Sequence, residues 1–319
     1  MIVLAKSRMQ LTELLNKRLI FVSGKGGVGK TTVTVLLGLL SASLGKKTLL
    51  VEMNSTGRIG PYFTGLPTPD DETPMAPNLS AINLLPKDCF EEYVLMQVRF
   101  KAIYDMFFNN KFVTNFLGAT PGLNEILMLG KIYDFERKEK PRAVHEKLYD
   151  LVIVDAPATG HGLSTLEVPH VLESAVHAGP LHSNAVKINK LFADASRTAF
   201  CLVTLAEEMP VAETIEYAKG LREKTDFNFG PLFVNAIMPD IPKIKTARPK
   251  KMTEDLEIYW DYYELARNRA KLNREYTRQI DESLKDFEKI LLPFEFEGLN
   301  APKDFEGLLA VLNEKLGAP

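Results

Sequence analysis

Gly24-Lys25-Gly26-Gly27-Val28-Gly29-Lys30-Thr31-Thr32 stands between an apolar run, Leu19 to Ser23, and a second apolar stretch that begins at Val33. A strand, a glycine-rich loop and a helix in that order are what a phosphate-binding loop requires. The glycines let the backbone wrap a β-phosphate with its N–H groups turned inward, and the N-terminus of the following helix adds a favourable dipole. Lys30 is expected to neutralise the β- and γ-phosphates, and the Thr31 hydroxyl to ligate Mg²⁺. Lys25 is not demanded by a plain phosphate loop; a second ammonium beside a bound triphosphate can stabilise charge that develops in the transition state. An ordinary glycine turn would need neither lysine nor the Thr31-Thr32 pair.

Working outward, further runs of strand length follow at Thr48 to Glu52, Leu79 to Leu84, Leu151 to Val154, Phe200 to Thr204, Pro231 to Asn235 and Ile290 to Phe294. Several are solid with Val, Ile, Leu and Phe rather than alternating, the pattern of parallel strands covered on both faces. Helical segments separate them. The expected fold is α/β: a doubly wound, mostly parallel sheet flanked by helices, in one domain over residues 1–319. The chain is 45% hydrophobic and 25% charged, enough for a large core. A net charge of -2 argues against a nucleic-acid backbone binder, which needs a basic excess. No apolar run approaches the ~18 residues of a membrane span, and MIVLAKSRMQ lacks the apolar stretch of a signal peptide. With only Cys89 and Cys201, far apart, a cytoplasmic protein without structural zinc is expected.

Two stretches interrupt the alternation. Residues 87–147 show helical periodicity and no convincing strand, with Met96, Phe100, Ile103, Met106, Phe107, Phe112, Phe116, Leu117, Leu127, Met128 and Leu129 as a dense apolar set. This segment reads as a helical insertion subdomain, either an adaptable Met-rich binding surface or a small core of its own. Residues 239–252 hold Lys243, Lys245, Arg248, Lys250 and Lys251 among prolines, a mobile basic loop that serves as a charged linker or touches phosphate or membrane. A long helix from about Thr253 to Lys289 follows, and Tyr259, Trp260, Tyr263, Ile280, Leu284 and Phe287 are expected to pack its inner face.

The strand Leu151 to Val154 runs into Asp155, where a carboxylate at a buried strand end can hold Mg²⁺ through water. The turn beyond, Pro157, Thr159, Gly160 and His161, can sense a γ-phosphate and move on its loss. His161 reads as a switch residue, with helix capping as the alternative. The stretch DAPATGHGL closely resembles switch II of the arsenite-pump and tail-anchored-protein-targeting ATPases, the anion-transporting ATPase family, and the phosphate loop resembles that family's deviant Walker A form. PNLSAINLLPKDCFEEY, PGLNEILMLGKI and TLAEEMPVAETIEYAKGL look like further stretches of the family, so the resemblance covers nearly the whole chain of a bacterial-type member. It implies a P-loop NTPase that uses ATP and Mg²⁺. It implies a nucleotide-sandwich dimer in which Lys25 reaches across to the partner's nucleotide. It also implies that Asn235, at the end of Phe233-Val234-Asn235, reads adenine, and that Pro293, in Leu292-Pro293-Phe294, closes over the base. A turn residue is the plainer reading of Asn235.

Three departures from the family's pattern matter. Where the resembled proteins carry a water-positioning aspartate after the second strand, this sequence has Asn54, which orients water but accepts no proton. The zinc-binding CxxC of targeting dimers and the cysteine cluster of arsenite sensors are both absent from the sequence. The leading expectation is an ATP-driven switch in which a homodimer, or a heterodimer with a paralogue, presents an apolar surface to a hydrophobic client or membrane-protein partner. Asn54 sustains an alternative, a nucleotide-binding regulatory or scaffold subunit with little turnover. A membrane-surface positioning ATPase shares the loop, but lacks the DAPATGHGL turn and the helical insertion.

Overall fold

The computed structural model describes residues 8–97, 122–140, 143–158, 162–244, 248–249 and 251–317. Leu19–Gly24 forms β1, buried along its whole length. Lys30–Ser43 forms the helix α2, preceded in the chain by the short α1, Leu11–Leu14, and followed by the short α3, Pro61–Thr64; Gly162–Ala175 is α6. The other strands are β2 (Thr48–Met53), β3 (Thr73–Ala76), β4 (Leu79–Leu84), β5 (Glu139–Lys140), β6 (Ala143–Lys147), β7 (Leu151–Asp155), β8 (Thr198–Leu205), β9 (Phe229–Ile237) and β10 (Lys289–Pro293). The main sheet runs β10-β9-β8-β1-β7-β2-β4-β3, and only the β3–β4 pairing in it is antiparallel. All seven expected strands are present in this parallel array. The chain moves from β1 outward to β2 and β4, then returns to β7 beside β1 and continues to β8 on its other flank. The carboxyl end of β1 is thus a switch point, where open α/β sheets leave a crevice.

The solid apolar runs are explained by the two cores they serve. Leu19 and Phe21 of β1 face one cluster, Ile20 and Val22 the other, as the period of two in a strand dictates. On one face lie α1, α2 and the C-terminal helix α10 (Glu306–Leu316). On the opposite face lie α5 (Leu123–Arg137), α7 (Pro180–Ala193), α8 (Glu208–Lys224) and the end of α9 (Glu254–Ser283). Phe21 stacks on Phe200 at 5.2 Å between ring centres and meets Phe192 edge-on at 5.1 Å, and Phe200 stacks on Phe227 at 3.9 Å. These four rings pin the central strand to β8 and α7.

In the expected helical insertion, α4 (Pro86–Gln97) packs on α5, where Lys131 pairs with Glu92. Leu127, Met128 and Leu129 are buried in the same core as Val152 and Val154 of β7, so this part of the segment serves the main core. Phe100, Ile103, Met106, Phe107, Phe112, Phe116 and Leu117 lie outside the described residues, as does the Met96 side chain. The expectation of no strand before Glu146 is corrected by the antiparallel pair β5–β6, whose charged, short sequences carry no apolar alternation. The stripe on α9 is also corrected. Ile280, Leu284 and Phe287 are buried, but Tyr259 is 72% exposed. Among the described residues of α9, burial begins only at Ala270; the first half of the helix lies beyond the sheet. Of the basic loop, Ile244 donates its N–H to the Tyr263 hydroxyl (2.6 Å), and Arg248 pairs with Asp261 (2.8 Å), so these residues lie along α9.

Candidate active site

At the switch point a cavity of about 480 Å³ opens among Gly26, Gly27, Gly29, Lys30, Thr31, Asn54, Ser55, Arg58, Asp155 and Pro157. Three elements build it: the loop after β1, the turn after β2 and the end of β7. Gly24 ends β1, and Val28 is buried beneath the loop. Gly29 caps α2 with φ +94°, and a β-carbon there would stand 2.1 Å from the Asn235 amide nitrogen. Only glycine fits so close an approach at that backbone angle.

Lys30 opens α2 and folds back so that its ammonium donates to the Lys25 carbonyl at 3.0 Å. Burial lowers its pKa, as does the positive charge of Arg58, while Asp155 opposes the shift. An anion in the cavity would reverse that balance. Lys25 turns away from Lys30, and its ammonium pairs with Glu213 of α8 at 2.6 Å. Thr31 donates its hydroxyl to Asp155 Oδ2 at 2.5 Å. The other carboxylate oxygen, Asp155 Oδ1, is shielded from solvent and has no hydrogen-bond partner among the described residues. Burial pushes the Asp155 carboxyl up to about 6, against the pull of Thr31, Lys30 and Arg58. An orphaned carboxylate oxygen beside a threonine hydroxyl is a hard-oxygen donor set, suited to Mg²⁺ with water and phosphate completing the shell. The residues fit that ion.

Asn54 leaves β2 in the left-handed region, φ +48°, which asparagine tolerates better than most residues, and it is exposed on the cavity wall. Glu52, the nearest carboxylate in sequence, is fully buried. Its Oε1 accepts from the Ser55 hydroxyl (2.6 Å) and the Arg58 N–H (2.7 Å). Its Oε2 accepts from the Ile59 N–H (3.2 Å) and the Thr68 hydroxyl. Glu52 holds the turn from behind and has no oxygen turned to the cavity. On the far side of the loop, Asn235 of β9 donates its amide to the Val28 carbonyl at 3.1 Å. Pro293 ends β10, in register with Ile237 of β9. Thr32 sits half-buried in the first turn of α2. Thr159, Gly160 and His161 lie outside the described residues. Arg58 and Glu213 were not singled out by sequence reading. The only signal for Arg58 was a basic residue four positions past Asn54; none marked Glu213, which meets Lys25 only through the tertiary fold.

The family profile of the anion-transporting ATPases matches residues 17–183 and 180–311, almost the whole chain. The chain belongs to the anion-transporting ATPase family. It is 32% identical over 241 residues to ATPase BagA of Mycobacterium tuberculosis, covering 72% of this chain and 67% of that protein. It is 26% identical over 334 residues to ATPase GET3 of Kluyveromyces lactis, covering 92% of this chain and 89% of the other. ATPase ASNA1 homolog 1 of Paramecium tetraurelia is 22% identical over 331 residues, 91% of each chain. Membership makes this chain a P-loop ATPase, and the sheet order and the loop–helix junction at β1 are those of the P-loop fold. No helix among the described residues is long and apolar enough to cross a membrane.

Proposed function

We propose that this chain binds Mg-ATP in the cavity at the end of β1, and that binding and hydrolysis there drive a conformational switch that closes a dimer. The observation that carries the proposal is the meeting of Lys30, Thr31 and the orphaned Asp155 Oδ1 around one cavity. Lys30 swings from the Lys25 carbonyl to the β- and γ-phosphates. Loop N–H groups and the α2 dipole take the remaining negative charge. Thr31 and Asp155 would hold Mg²⁺, which offsets phosphate charge and aligns the terminal group for attack. Asn235 keeps one N–H and a carbonyl oxygen for adenine after bonding Val28, and Pro293 would border the base. Pro157, Thr159, Gly160 and His161 would report the terminal phosphate to the rest of the molecule. In the closed dimer, a homodimer or a heterodimer with a paralogue in the cytoplasm, Lys25 leaves Glu213 and reaches the partner's nucleotide. The helical insertion, residues 87–147, would then offer an apolar surface to a hydrophobic client or membrane-protein partner.

A second reading, a nucleotide-gated regulatory or scaffold subunit beside an active paralogue, is favoured by one observation. The cavity wall offers Asn54 where a carboxylate would position water, and Glu52 is fully occupied. One experiment addresses both readings: ATP turnover by the purified chain with and without Mg²⁺, alongside mass measurement in each nucleotide state. The switch reading expects Mg²⁺-dependent turnover and an ATP-dependent dimer, both lost in Lys30→Ala along with nucleotide retention. Retention of ATP by Lys30→Ala at wild-type affinity would sink the site. Dimerisation without turnover favours the scaffold reading. A faster single-turnover step in Asn54→Asp, by up to the roughly 100-fold low end of general-base effects, would locate the handicap at that residue.

A further inference from the structure

Arg58 is the one cavity-lining cation whose side chain has no hydrogen bond or ion pair among the described residues. Lys30, which also lines the cavity, is held by the Lys25 carbonyl, and Lys25, outside the cavity lining, by Glu213. The guanidinium is exposed on the cavity wall, across from the phosphate loop. Its charge reaches both Lys30 and Asp155, lowering the pKa of each.

The backbone beneath Arg58 is fixed with unusual care. Its N–H is bound by the buried Glu52, which also holds Ser55, Ile59 and Thr68. From the neighbouring strand β4, Asn83 accepts from the Ser55 N–H (3.2 Å) and donates to the Ser55 carbonyl (3.0 Å). The Gly60 N–H is bound by the Thr68 hydroxyl at 2.7 Å. A buried carboxylate spent on loop backbone costs desolvation, which its four donors offset. What that arrangement leaves facing the cavity is Asn54, Ser55 and Arg58.

We propose that Arg58 recognises the terminal phosphoryl group of the bound nucleoside triphosphate and stabilises its charge during hydrolysis, an arginine supplied by the chain itself. A guanidinium presents two parallel N–H donors that match a phosphoryl group bidentately, and it stays charged throughout. The diphosphate lacks the group that Arg58 addresses, so the residue distinguishes ATP from ADP. It supplies the electrostatic part of the turn after β2, where Asn54 brings no charge. In the transfer, water oxygen bonds to the terminal phosphorus, the bond from that phosphorus to the bridging oxygen breaks, and the bridging oxygen leaves with ADP; of the water's two protons one stays on the phosphate formed and the other is released to solvent. Arg58 neither gains nor loses a proton and acts only on the equatorial oxygens.

This inference rests on the nucleotide reading of the cavity, and the experiment separates the two. Titration calorimetry with Mg-ADP and with a non-hydrolysable Mg-ATP analogue is run on wild type, Arg58→Ala and Arg58→Lys, with single-turnover rates measured in parallel. Arg58→Ala is expected to weaken the triphosphate analogue roughly 10- to 100-fold while changing ADP affinity by less than about threefold. Its single-turnover rate should fall by about 100-fold or more. Arg58→Lys should restore part of the binding but little of the rate, because an ammonium lacks the fork. The loop is held through backbone groups, so both variants should melt near wild type. If ADP fails to bind wild type, the nucleotide site itself is misplaced. If ADP binds but Arg58→Ala weakens ADP and ATP equally, or leaves ATP affinity and rate unchanged, the assignment to Arg58 is overturned.

Discussion

Asp155 answers to two opposed demands. As an anion at the end of a buried strand it is costly, and burial raises its carboxyl to about 6 from an ordinary 3.8. A folded-state value above the unfolded one means that the folded chain holds this proton more tightly. The penalty is absent below the unfolded value, grows as pH rises between the two, and is complete above about 6. It amounts to as much as about 3 kcal/mol in the absence of a cation. Asp155→Asn keeps the shape and an acceptor for Thr31 but carries no charge. The nucleotide-free variant should therefore melt a few degrees above wild type at pH 7.5, with the gap closing toward pH 4. Its nucleotide affinity should no longer respond to Mg²⁺. Thermal melts across that pH range, with and without Mg-ADP, check both; a variant that melts lower than wild type at pH 7.5 would mean the carboxylate is not a buried cost.

At the scale of elements, the loop–helix junction is held by β9 as well as by its own glycines. Gly29→Ala would place a methyl group against the Asn235 amide at 2.1 Å, on a backbone at φ +94°. Gly27→Ala meets the same kind of backbone, φ +82°, but nothing within 4 Å. Both should lose roughly 1–3 kcal/mol to the backbone angle, and Gly29→Ala should lose more, since Asn235 must also release Val28. Denaturant midpoints of the two variants test this; equal losses would remove Asn235 as a support of the loop. Such contacts were not legible in the sequence, whereas the strands that frame them were. Leu151 to Val154 or Phe200 to Thr204 are apolar on both faces because two cores demand it. β3 escaped because it is half-exposed, antiparallel and holds Pro74, and Glu139–Lys140 because it has no apolar residue at all. Motif spacing located Lys30, Thr31 and Asp155. Periodicity does not show where α9 runs beyond the sheet, and the place of Arg58 depends on the turn after β2 sharing a cavity with the phosphate loop.

Over the whole molecule, the sheet divides two cores, and the two cysteines fall on opposite sides, Cys89 in one and Cys201 in the other. Burial pushes the Cys89 thiol up to about 12 and raises that of Cys201 further. Neither is a thiolate near neutral pH in this fold, and no metalloid ion could bridge them. In the proposed dimer the link from the site to a second copy would run through Lys25, which pairs with Glu213 at the molecular surface. A half-exposed ion pair is worth about 1 kcal/mol or less, so releasing it is a small toll, shared by both subunits of a dimer. Glu213→Gln should raise ATP-dependent dimerisation by a few-fold, up to about fivefold per subunit, and Lys25→Ala should abolish it while leaving nucleotide binding intact. Light scattering with a non-hydrolysable ATP analogue measures both. Unchanged dimerisation in the two variants would confine Lys25 to its own subunit. The buried carboxylate under the turn after β2 has a thermodynamic corollary. Because Glu52 holds residues 55–59 through groups of the protein itself, the conformational entropy of ordering that turn is lost during folding. Nucleotide capture then proceeds on a preorganised surface, and its heat capacity change reflects the area that the ligand covers rather than the coupled folding of the turn.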